Sequence, residues 1–113
     1  MSAASRVYLV DRLTARPGRA RELLQSYRER YMPGARARGL QLERTLLSPP
    51  LWLEEQCNVL EFVWVLDGVA GFWSMTQQAR LDAAVQDWWR EAQDLIETRE
   101  RRLSAAIEEL PAC

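Results

Sequence analysis

The stretch Glu97-Thr98-Arg99-Glu100-Arg101-Arg102-Leu103-Ser104-Ala105-Ala106-Ile107-Glu108-Glu109-Leu110 decides the fold. By propensity alone it is a helix. It is rich in Glu, Arg and Ala, and Glu97 stands four residues before Arg101, the spacing of a favourable ion pair on one helical face. Read instead as a strand, it completes a β-α-β-β-α-α-β order.

Upstream the pattern is plainer. Val7 to Thr14 is β-rich and alternating, and it stops at Pro17-Gly18. Ala20, Leu23, Leu24, Tyr27 and Tyr31 then fall at i, i+3, i+4, i+7 and i+11, which predicts an amphipathic helix. Pro33-Gly34 and Gly39 punctuate its end. A second strand is expected over Leu40–Leu47, with Leu40, Leu42 and Leu46 on one face and Gln41, Glu43 and Thr45 on the other. Ser48-Pro49-Pro50 closes it, and the connection Leu51–Gln56 begins unusually apolar for a surface loop. Cys57–Leu66 is apolar at nearly every position, as in a strand covered on both faces. Val69, Phe72, Trp73 and Thr76 mark a short helix after Asp67-Gly68. Asp82 is placed to cap another, whose stripe is Val85, Trp88, Trp89, Ala92 and Ile96.

The 113 residues suit one domain spanning 1–113, with a core over about 7–104 and flexible ends. Such a chain buries roughly 65% of its unfolded surface, so it needs no metal or disulfide staple. Fifteen basic and sixteen acidic residues leave a net charge of −1, which argues against nucleic-acid and membrane-surface partners. Every basic residue is Arg. Histidine and lysine are both absent, which removes histidine-ligated haem, most catalytic zinc sites, Ser-His and Cys-His nucleophile pairs and Schiff-base chemistry. No phosphate loop, dinucleotide fingerprint or metal-ligand cluster is visible, so no cofactor is expected. The two cysteines, Cys57 and Cys113, make no disulfide framework, which fits a reducing, cytoplasmic setting.

If the decisive stretch is a strand, the order is the split β-α-β arrangement of a ferredoxin-like fold: α+β, with a four-stranded antiparallel sheet and helices on one side. The sheet's other face is then too apolar to meet water. The expected solution is a homodimer in which two sheets close over each other into an α+β barrel with a lumen.

Tyr8 in a strand running into Arg16-Pro17-Gly18-Arg19 resembles the opening of NIPSNAP-like domains, a branch of the dimeric α+β barrel superfamily. So do Glu61-Phe62-Val63-Trp64 at the end of the third strand and Asp87-Trp88-Trp89 in a later helix. In that family a Glu and an Arg two residues apart lie in the last strand. Glu100 and Arg102, followed by Leu103, match that pattern. The resemblance covers about Val7 to Ser104 and implies a fourth strand near Leu95–Ser104 against its local propensity. One departure is that many relatives carry His where this chain has Phe62, which disfavours the haem-degrading branch. Related barrels include cofactor-free monooxygenases, polyketide cyclases and proteins of no known reaction, so the fold alone does not settle an activity.

Charges on apolar faces are the candidate chemistry. Asp11 alternates with Val7, Leu9 and Leu13; Arg44 with Leu40, Leu42 and Leu46; Glu61 with Val59, Val63 and Val65. A buried carboxylate pairs, shifts its pKa or lines a wet cavity. The first and third strands of this topology are neighbours, which would bring Asp11 and Glu61 together as an acid/base pair. Arg44, Arg99, Arg101 and Arg102 are the available counter-charges, with Arg44 and Arg102 taken as the charge partners. The competing reading is that these charges are structural ion pairs locking an interface.

Tyr8, Trp52, Phe62, Trp64 and Trp73 are the ligand-binding candidates. Core packing is the plain account of Trp73 and Trp88, and Leu51-Trp52-Leu53 is expected to pack across the dimer or cap a pocket. Three functions follow. The first is binding of an apolar or aromatic metabolite in the barrel lumen. The second is cofactor-independent monooxygenase, cyclase or isomerase chemistry on an aromatic or polyketide-like substrate. The third is a purely structural dimer.

Overall fold

The computed structural model describes residues 6–110. β1 (Val7–Ala15) turns at Pro17-Gly18 into α1 (Ala20–Ser26), which runs through a π turn (Tyr27–Tyr31) into α2 (Met32–Ala37). β2 (Gln41–Ser48), β3 (Val59–Leu66), α3 (Gly68–Arg80), α4 (Ala83–Ala92) and β4 (Ile96–Ser104) follow, with a 3-10 turn at Ile107–Glu109. Pro33-Gly34 therefore does not end the first helical run. Pro33 follows directly on the π turn, where the helical ladder is already widened and its missing N–H and ring are accommodated.

The strands pair antiparallel in the order β2-β3-β1-β4. This is an open α+β sheet with two edges, β2 and β4, and it is not closed into a barrel. The expectation of a barrel is corrected: the sheet does not close on itself, because its strands end in free edges at β2 and β4.

The decisive stretch is strand where it meets β1. Cross-strand pairing explains why propensity loses there. Leu103 lies opposite Leu9, Arg101 opposite Asp11 and Glu100 opposite Arg12, so each residue finds an apolar or oppositely charged neighbour. The register skips between Thr14 and Ala15, which leaves Glu97 outside the pairing. The strand expected near Leu95–Ser104 is found at Ile96–Ser104, so the Glu97–Arg101 pair of the helical alternative does not form; Glu97 lies 3.8 Å from Arg16 instead.

Odd residues of β1 and even residues of β3 face the helices. Leu9, Leu13, Leu60, Phe62 and Trp64 are all buried there, against Leu23, Tyr27 and Trp88. On the opposite face Tyr8, Val10, Val59, Glu61, Val63 and Val65 are half-buried. β2 carries a bulge between Leu42 and Arg44, which reverses the alternation expected for it. Leu42, Thr45 and Leu47 share one face, whereas Arg44 and Leu46 (46% exposed) share the other.

α3 meets the core through Met75, with Phe72 and Ala79 partly buried. Trp73 points outward at 58% exposure, so the core assignment for it is corrected; three apolar residues at helical spacing did not fix which side would turn inward. Trp88 is buried, and its Nε1–H donates to Ser26 Oγ at 3.0 Å.

The Leu51–Gln56 connection is held by Asn58. Its side chain accepts from Leu53 N–H at 2.9 Å and donates to the Leu51 carbonyl at 2.9 Å. Gly18, at φ +72°, lies so close to this loop that a Cβ would sit 2.3 Å from the Glu54 carbonyl oxygen. Cys57 is a free thiol; of the chain ends expected to be flexible, residues 1–5 and 111–113, Cys113 among them, lie outside the described residues. No helix among the described residues is long and apolar enough to cross a membrane.

Candidate functional site

Alternation on β1 turns Asp11 toward the helices, into a site without solvent exposure. The π turn brings Tyr27 and Tyr31 to the same face, with ring centroids 4.8 Å apart. Tyr27 stacks flat on Phe62 at 3.7 Å. From opposite Asp11, Arg101 reaches under the sheet edge and makes a two-point ion pair. Its Nε donates to Asp11 Oδ1 at 2.6 Å and its Nη2 to Oδ2 at 2.9 Å. Nη2 also donates to the Tyr31 hydroxyl at 2.9 Å. Trp64 Nε1–H donates to the Tyr27 hydroxyl at 2.7 Å, and that hydroxyl donates to Asp11 Oδ2 at 2.9 Å.

The chain Trp64→Tyr27→Asp11←Arg101→Tyr31 thus has a fixed direction of donation. Burial, followed by the Asp11 charge, holds the Tyr27 hydroxyl pKa well above its ordinary value. The phenol therefore stays a donor. Burial works against the Arg101 guanidinium, but its hydrogen bonds to Asp11 and the carboxylate charge outweigh that and raise its pKa above the ordinary arginine value. Bidentate charge-assisted pairs of this kind orient both partners.

The far side of Arg101, whose side chain keeps 28% exposure, borders a cavity of about 200 Å³ between α3, α4 and β4. Met75, Val85 and Trp89 form apolar walls, and Arg80, Arg99 and Arg101 supply charge; no carboxylate lines it among the described residues. Arg99 lies over the Trp89 ring, 3.6 Å from its centroid. Burial, and then the like charge of Arg101, lower the Arg99 pKa from its ordinary value. A buried guanidinium, Arg38, has no hydrogen-bond partner on any of its three nitrogens among the described residues. Its nearest carboxylate is Asp82, at 3.9 Å, and the Tyr31 ring lies 5.8 Å away.

The candidates read from the sequence are dispersed by this geometry. Asp11 and Glu61 do sit on neighbouring strands, but Asp11 lies opposite Phe62 while Glu61 lies opposite Arg12. The offset of one residue puts the two carboxylates on opposite faces, so they form no acid/base pair. Glu61 shares an open-face basin of about 210 Å³ with Val10, Arg12, Glu100 and Arg102, where Arg102 pairs with Glu100. Arg44 is exposed and pairs with its neighbour Glu43 at 3.0 Å. Tyr8 is half-buried on the open face, opposite Val65.

Phe62 and Trp64 are wholly buried and serve the network rather than a ligand surface. Trp52 packs on its own chain, with Arg21 4.8 Å over its ring, and Leu51 beside it is 55% exposed. Tyr31, Trp89 and Arg80, which do line the helix-side cavity, were not among the candidates, and Arg99 and Arg101 were named only as available counter-charges. The one usable signal was the period of two in Arg99, Arg101 and Leu103.

No family model matches the chain, and no curated protein does. Solved structures do. The chain resembles an uncharacterized NIPSNAP domain protein from Burkholderia xenovorans at 13% identity and TM-score 0.74, over 94% of this chain and 99% of that one. A NIPSNAP family protein from Agrobacterium tumefaciens aligns at 16% identity and TM-score 0.71, over 95% and 91%. A cofactor-independent oxygenase from Streptomyces nogalater aligns at 20% identity and TM-score 0.59, over 96% and 100%. The structure has the fold of the NIPSNAP family.

Proposed function

We propose that this NIPSNAP-type chain binds a small aromatic anion, a carboxylate or phenolate, in the cavity between α3, α4 and β4. The observation that carries the reading is Arg101. Asp11 and Tyr31 hold one edge of its guanidinium, and the rest of the group borders an apolar-walled space that also receives Arg80 and Arg99 and, among the described residues, no acid. Asp11 neutralises Arg101, so Arg80 and Arg99 remain as excess positive charge. Cations beside aromatic walls favour a flat ligand with one negative group. In this reading Arg101 contacts the ligand and Asp11 is a positioning residue behind it.

The test is a titration of 2-naphthoate against the neutral 2-naphthalenemethanol, followed by thermal shift and tryptophan fluorescence at low salt. The acid is expected to raise Tm and the alcohol to do so much less. Equal effects of the two, or none, would sink the reading.

Cofactor-independent oxygenation of a bound phenol is a second reading, supported by the likeness to the Streptomyces nogalater oxygenase. The favouring feature is that Arg99 and Arg101 would hold such a phenol as its electron-rich phenolate. Dioxygen uptake with a polyphenolic substrate, lost in Arg101→Gln, is the outcome expected of it. Chemistry that needs a carboxylate base gains no support, because no acid lines this cavity among the described residues.

We also infer that two copies associate through the open sheet faces, where Val10, Val63 and Val65 lie side by side with Tyr8. Apolar stripes of this kind mark contact surfaces. Sedimentation of the wild type as a dimer and of Val63→Asp as a monomer is expected; a monomeric wild type overturns it.

A further inference from the structure

The helix-side cavity does not stand alone. Gln86, Trp89 and Arg99 line it on one side, and the same three line a larger hollow of about 440 Å³ on the other. The inner space alone is smaller than the roughly 300–1,000 Å³ of ordinary small-molecule sites. Joined, the two fall well inside that range. Of the three shared residues, Arg99 and Trp89 are in direct contact, the guanidinium lying over the ring at 3.6 Å from its centroid.

The tie is a weak one. Among the described residues Arg99 has no hydrogen-bond or ion-pair partner, and the like charge of Arg101 is close enough to be felt. A guanidinium on an aromatic face is held by the ring quadrupole and by stacking contact, with no directional hydrogen bond. An anion entering the inner cavity offers Arg99 a charge-assisted hydrogen bond in exchange for that contact. Turning toward the anion lifts the guanidinium off Trp89. The outer hollow is of different character, with Arg90, Gln93, Glu97 and Thr98 supplying hydrogen-bonding groups.

We propose that the Arg99–Trp89 stack is a gate between two subsites of one binding site: an inner one for an anionic aromatic head and an outer one for a polar, hydrogen-bonding extension. The ligand class is then an elongated aromatic acid rather than a compact one. This inference rests on the reading of the inner cavity as an anion site.

The experiment compares 2-naphthoate with its extended analogue 6-acetamido-2-naphthoate by stopped-flow fluorescence. The proteins are the wild type, Trp89→Ala and, as a variant at an exposed position that leaves the core intact, Arg99→Gln. In the wild type the extended acid is expected to bind more tightly and more slowly than the short one. Removing Trp89 should speed its association about tenfold relative to that of the short acid, while the short acid, which loses an apolar wall, binds more weakly. Arg99→Gln should also speed the extended acid, while weakening both probes several-fold. If the short acid binds but the two probes associate alike in all three proteins, the gate is wrong and the anion site stands. If neither acid binds any of the proteins, the anion site and the gate fall together.

Discussion

Asp11 and Arg101 are direct cross-strand neighbours on β1 and β4, and their side chains join at two points on the helix side of the sheet, at 2.6 and 2.9 Å. The contact ties the edge strand to the centre of the sheet and aims the arginine at the cavity. Its loss should therefore be felt in stability and in ligand binding together.

Asp11→Asn leaves the volume unchanged and strands the guanidinium beside an uncharged amide. Removing one partner of a buried pair costs roughly 3 kcal/mol. Urea denaturation should show that loss as a lower midpoint. Asp11→Asn should also weaken 2-naphthoate, since Arg101 loses the group that aims it. Unchanged stability would mean that the pair holds nothing together.

Tyr27 makes stability depend on alkaline pH. Its folded pKa is raised by burial and by Asp11, so between the unfolded value of about 10 and the folded value the unfolded chain releases a proton that the folded chain keeps. The contribution is complete below pH ~10 and is lost above it, by about 1.4 kcal/mol per pH unit. Tyr27→Phe should be less stable at neutral pH by roughly 1–2 kcal/mol, because Trp64 loses its acceptor. Its unfolding free energy should also fall less steeply than the wild type's above pH 10. Parallel slopes for the two proteins would refute the assignment.

Asp82 has two duties that substitution can separate. Its Oδ1 accepts from Ala84 N–H at 3.0 Å as the cap of α4, and its Oδ2 is the nearest negative charge to Arg38. Asp82→Ser keeps a good cap and deletes the charge; Asp82→Ala deletes both. The alanine variant should lose about 1 kcal/mol more than the serine variant. The serine variant should itself be destabilised, because a buried cation is left without a counter-charge. A serine variant as stable as wild type would show that Arg38 does not rely on Asp82.

Gly18→Ala tests the loop. At φ +72° and with the Glu54 carbonyl in the way, a methyl group forces the loop outward as well as straining the backbone. The expected cost is roughly 2 kcal/mol, with faster proteolysis within residues 49–56. Wild-type resistance would show that this close approach can relax freely.

Much of the fold was legible because β1, β3 and the stripes of α1 and α4 follow clean periods. Asp11 was legible as a charge on an apolar face. Its partner was not. Which of four arginines meets it depends on the register of β4, and that register is set by the skip at Glu97 within a stretch whose local preference is helical. The same limit separated Asp11 from Glu61, since neighbouring strands fix a pair only once the offset is known. In β2 the bulge at Glu43 reversed the faces of Arg44 and Leu46, and a bulge leaves no mark in an alternation of hydrophobic and polar residues. The cavity was hidden for another reason. Trp88 and Trp89 look alike in sequence, and only the packing of α4 decides that one is buried while the other becomes a wall.

The wide turn at Tyr27–Tyr31 amounts to one additional residue spliced into an otherwise regular helix. Deleting one of Arg28, Glu29 or Arg30 would let the turn close as ordinary α-helix with the segments on either side still in phase, since about five residues of π turn subtend nearly the same angle as four of α-helix. What would change is the spacing of Tyr27 and Tyr31, whose rings lie 4.8 Å apart. The extra residue therefore sets how the two tyrosines sit beside each other, in a stretch whose exposed side chains are individually replaceable.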